Sequence, residues 1–428
     1  EIMPSLVGSE MCIRDRFSYY KLFMKVVLVI IDGLGDRPIS ELKDQTPLEA
    51  ANTPNLDYFA TNGITGIMNA IDVGIRPGSD TSHLAIFGYD PETHYTGRGI
   101  FEAAGIGMEL KKGDIALRGN FATVTEDLII VDRRAGRIEN VSKLADALNG
   151  MKIDGVRFFV KAGVMHRAGV VLRGSNLSHM VSDNDPHEVG VKVKQVKALD
   201  NTEEAKFTAS VINKFLEEAH KILKEHEVNK KRRKERLLEA NYILLRGASK
   251  LTHFEPFEKK YKLKACCIAG AGLYKGIAKV LGMDVLQVKG ATGTANTDIN
   301  AKFIAAKKAL AKYDFVFVHI KYADNYAEDG NVFGKLKFIE KIDDALIHLI
   351  GIKDTLIVIT ADHSTPCKLK AHSGDPVPIV MFGEGVRTDK VKEFNERSCM
   401  QGGLGRIKGK DLMNEILNLI GKAKLYGA

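Results

Sequence analysis

An α/β domain interrupted by an inserted α+β domain is the fold class this sequence predicts, on three observations. Apolar runs of strand length lie near both ends of the 428-residue chain, and each leads into an acid or an imidazole. From about 114 to 284 the pattern changes to short strands separated by turns, with helical stretches among them. After Met283 the succession of strand, turn and helix resumes, with the loop Gly290-Ala-Thr-Gly-Thr-Ala-Asn-Thr297 at the change. The expected division is therefore 24–113 with 284–428 for the α/β part and 114–283 for the insert.

The elements follow in order. Residues 1–23 carry neither a long apolar core nor a basic run before one, and Met24 directly precedes the first good strand. They are expected to be a non-native or disordered leader. Residues 25–31 are a continuous apolar run ending in Asp32-Gly33. In Pro47-Leu-Glu-Ala-Ala-Asn-Thr-Pro-Asn-Leu-Asp57 two prolines bracket a helical turn, and a helix is expected from Leu56. Gly74-Ile-Arg-Pro-Gly-Ser-Asp-Thr-Ser-His83 is a turn opening into a helix. Ser79 at its start reads either as an N-cap or as part of an anion site, since free N–H groups and the helix dipole favour a phosphate there.

Within the insert, 121–124, 128–131, 169–172 and 242–245 read as strands. Residues 202–240 read as helical, with Phe207, Val211, Ile212, Phe215, Ala219, Ile222 and Leu223 at helical spacing. The run 315–320 leads into Lys321 and Asp324. The run 355–360 leads into Asp362-His363, with His372 nine residues on. Ligands in open α/β sheets collect at the C-terminal ends of strands, so three strand ends carrying acid or imidazole converge on one candidate metal site.

Composition narrows the function classes. The hydrophobic content of 45% supports a large core, and no apolar stretch approaches the length of a membrane span. The five cysteines, Cys12, Cys266, Cys267, Cys367 and Cys399, form no CxxC pattern, which fits a reducing cytoplasm. Of the formal charge of +8, residues 230–236 contribute six basic and one acidic side chain, a net +5 in one local run. A solvated helix end explains that run, and an anionic partner is the alternative. Neither nucleic acid nor membrane is expected as a partner, and a homo-oligomer is compatible.

Six ordered motifs, Asp32-Gly-Leu-Gly-Asp36, Pro77-Gly-Ser-Asp-Thr-Ser-His83, Gly97-Arg-Gly-Ile-Phe-Glu-Ala103, Asp183-Asn-Asp-Pro-His187, Gly290-Ala-Thr-Gly293 and Ala361-Asp-His363, resemble the archaeal-type cofactor-independent phosphoglycerate mutases of the alkaline phosphatase superfamily. The resemblance covers the chain from Met24 onward. It implies an alkaline-phosphatase-like metal domain with an inserted substrate-binding domain, two divalent metals and no 2,3-bisphosphoglycerate. It further implies that Ser79 is the nucleophile and a ligand, that Asp32, Asp362 and His363 hold the nearer metal, and that Asp324 and His372 hold the other. Mn²⁺ is expected first, with Mg²⁺, Co²⁺ or Zn²⁺ as alternatives.

One position departs from the family pattern. Asp324-Asn-Tyr-Ala-Glu328 has Glu328 where the family has a histidine ligand. An added oxygen ligand favours Mn²⁺ or Mg²⁺ over Zn²⁺, and the alternative is that Glu328 faces solvent. For a small trianionic phosphoglycerate, the resemblance implies Arg246 and Lys321 as cationic contacts, Lys321 being placed among the catalytic groups. It makes Asp185 and His187 the acid and base, with His166 and Arg167 as further substrate contacts. The reaction implied is interconversion of 3- and 2-phosphoglycerate through a phosphoserine, a step of glycolysis and gluconeogenesis. The alternatives are another phosphotransferase or phosphatase of the superfamily, or a metal-deficient binding protein.

Overall fold

The computed structural model describes residues 24–427; the expected leader at 1–23, Cys12 included, lies outside the described residues. Eight strands form the larger sheet, in the order Asp284–Val285, Ala265–Ile268, Phe315–Ile320, Lys25–Ile31, Thr355–Thr360, Val377–Phe382, Ile64–Asn69 and Gly405–Lys408. All run parallel except Val377–Phe382, which is antiparallel to both neighbours. Val26 to Ile31 and Phe315 to Ile320 are 0% exposed, so both faces of the sheet centre are covered. This is why those strands read as unbroken apolar runs instead of alternating.

The second sheet is antiparallel: Ile130–Asp132, Ile115–Val124, Arg167–Arg173, Val156–Ala162 and Lys152–Ile153 in order, with Tyr242–Lys250 also paired to Ile115–Val124. The helix Glu203–Glu225 covers one face of it. Val211, Ile212, Phe215 and Ala219 are buried there, and Phe215 stacks on Phe158 at 4.1 Å between ring centroids. The helix Gly99–Gly105 joins the two sheets: Ile100 N–H donates to Ser249 Oγ at 2.7 Å, and Ala116 and Val171 of the second sheet enter the larger sheet's core.

Two expectations are corrected. Ala265–Ile268 pairs with Phe315–Ile320, so the α/β sheet resumes well before 284 and the expected insert 114–283 runs too far. Four residues, Ala-Cys-Cys-Ile, are too few to display a period, and only their pairing reveals the sheet they join. The helical stretch expected over 202–240 also breaks at His226. That residue is extended (φ −69°, ψ 141°), and its side chain caps a second helix, Glu227–Lys234, by accepting from Val228 N–H. The basic run lies largely on that second helix, where Arg233 pairs with Glu239 at 2.7 Å and Lys231 with Glu235 at 3.7 Å. Among the described residues no helix is long and apolar enough to cross a membrane.

Candidate active site

Three parallel strands deliver the acidic half of the site. Asp32 follows Lys25–Ile31, and its N–H bonds Ile320 O at 2.9 Å. Asp362 and His363 follow Thr355–Thr360, while Lys321 follows Phe315–Ile320 and precedes the helix Tyr322–Glu328, which bears Asp324. Gly33 adopts φ +64°, and a Cβ there would lie 2.7 Å from Asp324 Cβ; glycine lets the first strand end approach the third. Gly33 N–H also donates to Asp362 Oδ1 at 3.2 Å. Beneath these loops the fully buried Lys335 donates from Nζ to Gly35 O (3.1 Å), Asp36 Oδ2 (2.9 Å) and Thr365 O (3.1 Å), tying the segments after two ligand-bearing strands together.

Ser79 is the first residue of the helix Ser79–Ile86, whose N-cap is Gly78. Its hydroxyl is therefore not used as a cap; it lies 3.1 Å from His363 Nε2. His363 Nε2 is also 3.3 Å from Asp32 Oδ1 and from Asp362 Oδ2. His372 Nε2 is 3.6 Å from Asp324 Oδ1, and the His363 and His372 rings stack at 3.6 Å. Two groups with metal-ligand geometry result: Asp32, Asp362 and His363, and Asp324, His363 and His372, the ligand atoms within 4.8 Å of one another in each. Asp32 Oδ1 and Asp362 Oδ2 are buried without a hydrogen-bond partner, a deficit a bound cation would fill. Glu328 is in neither group. It ends its helix one turn beyond Asp324, where burial and the Asp324 charge raise its carboxyl against the pull of Lys321 and His372, so it lies beside the site without standing in either group.

Electrostatics points the same way. Burial raises the Asp32 carboxyl to about 6 against the opposing pull of Lys321, and burial with the Asp32 charge beside it raises Asp362 well above the usual range. For Asp324 burial also works upward, but the Lys321 and His363 charges outweigh it and hold the carboxyl at about 2. Lys321 Nζ sits between them, 3.1 Å from Asp32 Oδ2 and 2.5 Å from Asp324 Oδ2. Buried carboxylates at this density need more positive charge than one lysine supplies.

The second sheet contributes a basic cavity of about 370 Å³, lined by Arg118, Arg133, Arg134, Arg137, Arg167 and Arg246 together with His166 and His187. Register assembles it: Arg118 lies opposite Arg246, and Asn120 opposite Arg167. Burial lowers Arg118 to about 10, with Arg246 and Arg167 adding repulsion against the attraction of Glu102. His166 is lowered to about 4 by burial and then by Arg167 and Arg134. Asp185 forms a bidentate pair with Arg133 (Nε to Oδ1 3.0 Å, Nη2 to Oδ2 2.6 Å), and Arg246 Nη1 is 3.8 Å from Asp185 Oδ2. His187, at φ +65°, gives its N–H to Asp185 Oδ1 at 2.9 Å, and its Nδ1 lies 3.2 Å from Arg133 Nη2. The structure thus groups Arg246, His166, Arg167, Asp185 and His187 in one place, and Ser79, Lys321 and the side chains with metal-ligand geometry in another. Glu102 accepts from Arg98 Nε at 2.9 Å and lies 3.9 Å from Arg118 Nη1 at the edge of the arginine group.

Sequence reasoning passed over Arg118, Arg133, Arg134 and Arg137 because separate strands and turns supply them, and only cross-strand register puts them on one face. It also passed over His83 and His319, read as part of a helix start and of an apolar strand.

Fold and site together define the class: an α/β protein whose strand ends gather carboxylates and imidazoles in the manner of a divalent-cation site, with a separate arginine-lined anion cavity. The family model for 2,3-bisphosphoglycerate-independent phosphoglycerate mutase matches residues 60–229. The 2,3-bisphosphoglycerate-independent phosphoglycerate mutase of Methanococcus aeolicus is 50% identical over 95% of this chain and 100% of its own, and mutase 1 of Methanocaldococcus jannaschii is 50% identical over 94% and 99%. The solved cofactor-independent phosphoglycerate mutase of Thermoplasma acidophilum superposes with a TM-score of 0.72 at 40% identity, covering 93% of this chain and all of that one. The chain belongs to the family of 2,3-bisphosphoglycerate-independent phosphoglycerate mutases, which are isomerases.

Proposed function

We propose that this chain interconverts 3-phosphoglycerate and 2-phosphoglycerate by way of a phosphoserine at Ser79, with two divalent cations at the strand-end site. Family membership supports the substrate. The observation that carries the chemistry is the Ser79 hydroxyl, freed from capping at a helix start and held 3.1 Å from His363 Nε2 among buried carboxylates. Asp32, Asp362, His363 and Ser79 would hold one cation, and Asp324 and His372, with His363 alongside, the other. When bound, such ions offset phosphoryl charge and lower the pKa of a nearby hydroxyl. The mixed carboxylate and imidazole donor set suits Mn²⁺, with Mg²⁺, Co²⁺ and Zn²⁺ as alternatives. Glu328 takes no part in our assignment.

In the first half-reaction Ser79 Oγ gives up its proton and bonds to phosphorus as the substrate's O3–P bond breaks, and glycerate O3 takes up a proton, leaving no net change in protons. Lys321, close to Asp32 and Asp324, supplies positive charge to the transferring group. The glycerate then reorients within the arginine cavity, where Arg246, Arg167 and Arg118 grip its carboxylate. Its O2 hydroxyl gives up a proton to Asp185 or His187 and attacks the phosphoserine, the Ser79 Oγ–P bond breaks, and Ser79 Oγ takes up a proton to restore the hydroxyl. Arg133 keeps Asp185 ionised: burial raises this carboxyl, but the Arg133 pairing and the His187 N–H outweigh it and hold it below the usual value. Two parts of the chain, 24–113 with 251–428 and 114–250, are the bodies that close over the substrate to keep water from the phosphoserine.

The test is a coupled assay of metal-stripped, Mn²⁺-refilled protein on 3-phosphoglycerate without 2,3-bisphosphoglycerate, with phosphate release followed in parallel. Formation of 2-phosphoglycerate without phosphate is the expected result. Phosphate release alone would make the protein a phosphatase.

A further inference from the structure

Arg134 and Arg137 line the basic cavity yet enter no step above, and the turn that carries them is left-handed. Ala135, Gly136 and Arg137 have φ of +47°, +64° and +57° in succession. A residue with a side chain is disfavoured there because its Cβ crowds a carbonyl oxygen, and such residues usually occur singly. Here they form one short turn, Ala135–Arg137, in which Arg137 N–H donates to Arg134 O (2.9 Å) and Ile138 N–H to Ala135 O (3.3 Å). Strained backbone of this kind persists only where its surroundings impose it, and it clusters where ligands are gripped.

The constraint comes from the basic run at 230–236. Arg232, on the helix Glu227–Lys234, donates from Nη2 to Ala135 O at 3.1 Å and from Nε to Leu238 O at 2.7 Å. Its guanidinium fork thus spans two backbone carbonyls and ties the turn to the segment after the helix. Leu238 packs over the same turn: a Cβ at Gly136 would lie 3.4 Å from Leu238 Cβ and 3.6 Å from Arg232 Nη2. The helix is anchored in its turn. Asn229, 0% exposed, donates to Leu223 O (2.8 Å) and Ala240 O (3.0 Å) and accepts from Ala240 N–H (2.8 Å), while Arg233 pairs with both oxygens of Glu239. The Glu239 carbonyl accepts from Thr123 Oγ1 at 2.6 Å, on the strand Ile115–Val124 that also bears Arg118. Arg134 does reach the cavity, since its charge is among those that lower His166.

We propose that Arg232 is a positioning residue for substrate recognition: by holding Ala135–Arg137 left-handed it keeps Arg134 and Arg137 turned into the cavity, where they meet the substrate carboxylate. Release of the turn to negative φ would redirect both side chains. The basic run therefore acts inward, on backbone, and not on an outside anion. The inference rests on the reading that the arginine cavity takes up the glycerate, and asks nothing of the cations.

The experiment is a double-mutant cycle on the full chain in the coupled assay, at saturating Mn²⁺, with circular dichroism establishing that each variant folds. Arg232→Ala should raise KM for 3-phosphoglycerate about fivefold to tenfold and change kcat by no more than about twofold. The pair Arg134→Ala/Arg137→Ala should raise KM at least as much, and Arg232→Ala added to it should raise KM no further, because nothing is left to aim. Independent, multiplying effects overturn the proposal, since Arg232 would then act apart from the turn. An unchanged KM in Arg232→Ala beside a raised KM in Arg134→Ala/Arg137→Ala overturns it and leaves the cavity reading intact. An unchanged KM in both overturns the cavity reading for these arginines and the proposal with it. Arg232→Lys separates the clamp from its charge and takes the place of Arg232→Ala should that variant not fold. Lysine keeps the charge but has no fork to span two carbonyls, so a KM raised severalfold supports the proposal and a parental KM overturns it.

Discussion

The two polar regions of this molecule are opposites. At the strand ends, buried acceptors outnumber donors: Asp32 Oδ1 and Asp362 Oδ2 have no partner, and two carboxyl groups are raised by burial. In the antiparallel sheet, donors outnumber acceptors: six arginines line one cavity, Asp185 pairs with Arg133 among them, and Arg118 Nε has no hydrogen-bond partner. One region lacks positive charge and the other lacks negative charge. A phosphorylated carboxylic acid with divalent cations would supply both, and under the proposed function the two regions serve one reaction although different sheets build them.

The contrast can be broken most severely at Ser79. Ser79→Ala should lower turnover by about 10⁴-fold or more while leaving bound metal unchanged, checked by the coupled assay and metal analysis on the same sample. Next in size is the basic side. Arg246→Ala removes a charge-assisted contact and should raise KM about tenfold to a hundredfold, with a smaller change in kcat; a fall in kcat alone would place Arg246 elsewhere in the cycle.

The acidic side predicts an unusual pH response of the metal-stripped protein. The Asp32 carboxyl is raised from 3.8 to about 6, so between these values the folded chain holds a proton the unfolded chain has released, and stability falls as pH rises through that window. Asp324 is lowered to about 2 and has the opposite sign, its contribution being lost only as pH falls below 3.8. Melting of the stripped protein should therefore be a few degrees lower at pH 7 than at pH 5 from the Asp32 window, and saturating Mn²⁺ should raise the pH 7 value most. The smallest expected effect is at Glu328. Glu328→His puts an imidazole one turn after Asp324 and should tighten binding of one Zn²⁺ by roughly tenfold or less, read by competition with a chromogenic chelator.

How much was legible depended on whether the signal was local. Lys25–Ile31, Phe315–Ile320 and Thr355–Thr360 are covered on both faces, and a strand so covered must be apolar throughout, so the sequence displays it. The residues just after such strands were therefore legible too, Asp32, Asp362 and His363 among them. The sheet that Ala265–Ile268 joins was not, because four apolar residues do not disclose which strand they pair with. The arginine cavity was half legible: Arg246 and Arg167 flank recognisable strands, but Arg118 becomes their neighbour only once register is known. Glu328 was legible as a departure from the family pattern, yet its orientation was not, since the rotation of a short helix end is set by tertiary packing.

The central pairing of the large sheet has a further consequence, for the order of folding. Lys25–Ile31 lies between Phe315–Ile320 and Thr355–Thr360, partners that begin 290 or more residues later, and its register runs Ile31 to Ile320 and Ile30 to Thr360. The earlier strand thus waits for partners made some 290 residues later, while the antiparallel sheet between them has its pairing partners within one intervening stretch. Long-range parallel pairing is slow because loop-closure entropy is spent before contacts form. During synthesis the arginine-bearing sheet can complete itself before Thr355–Thr360 emerges, and the acid-bearing strand ends converge only afterwards, so the basic cavity can form ahead of the carboxylate and imidazole cluster.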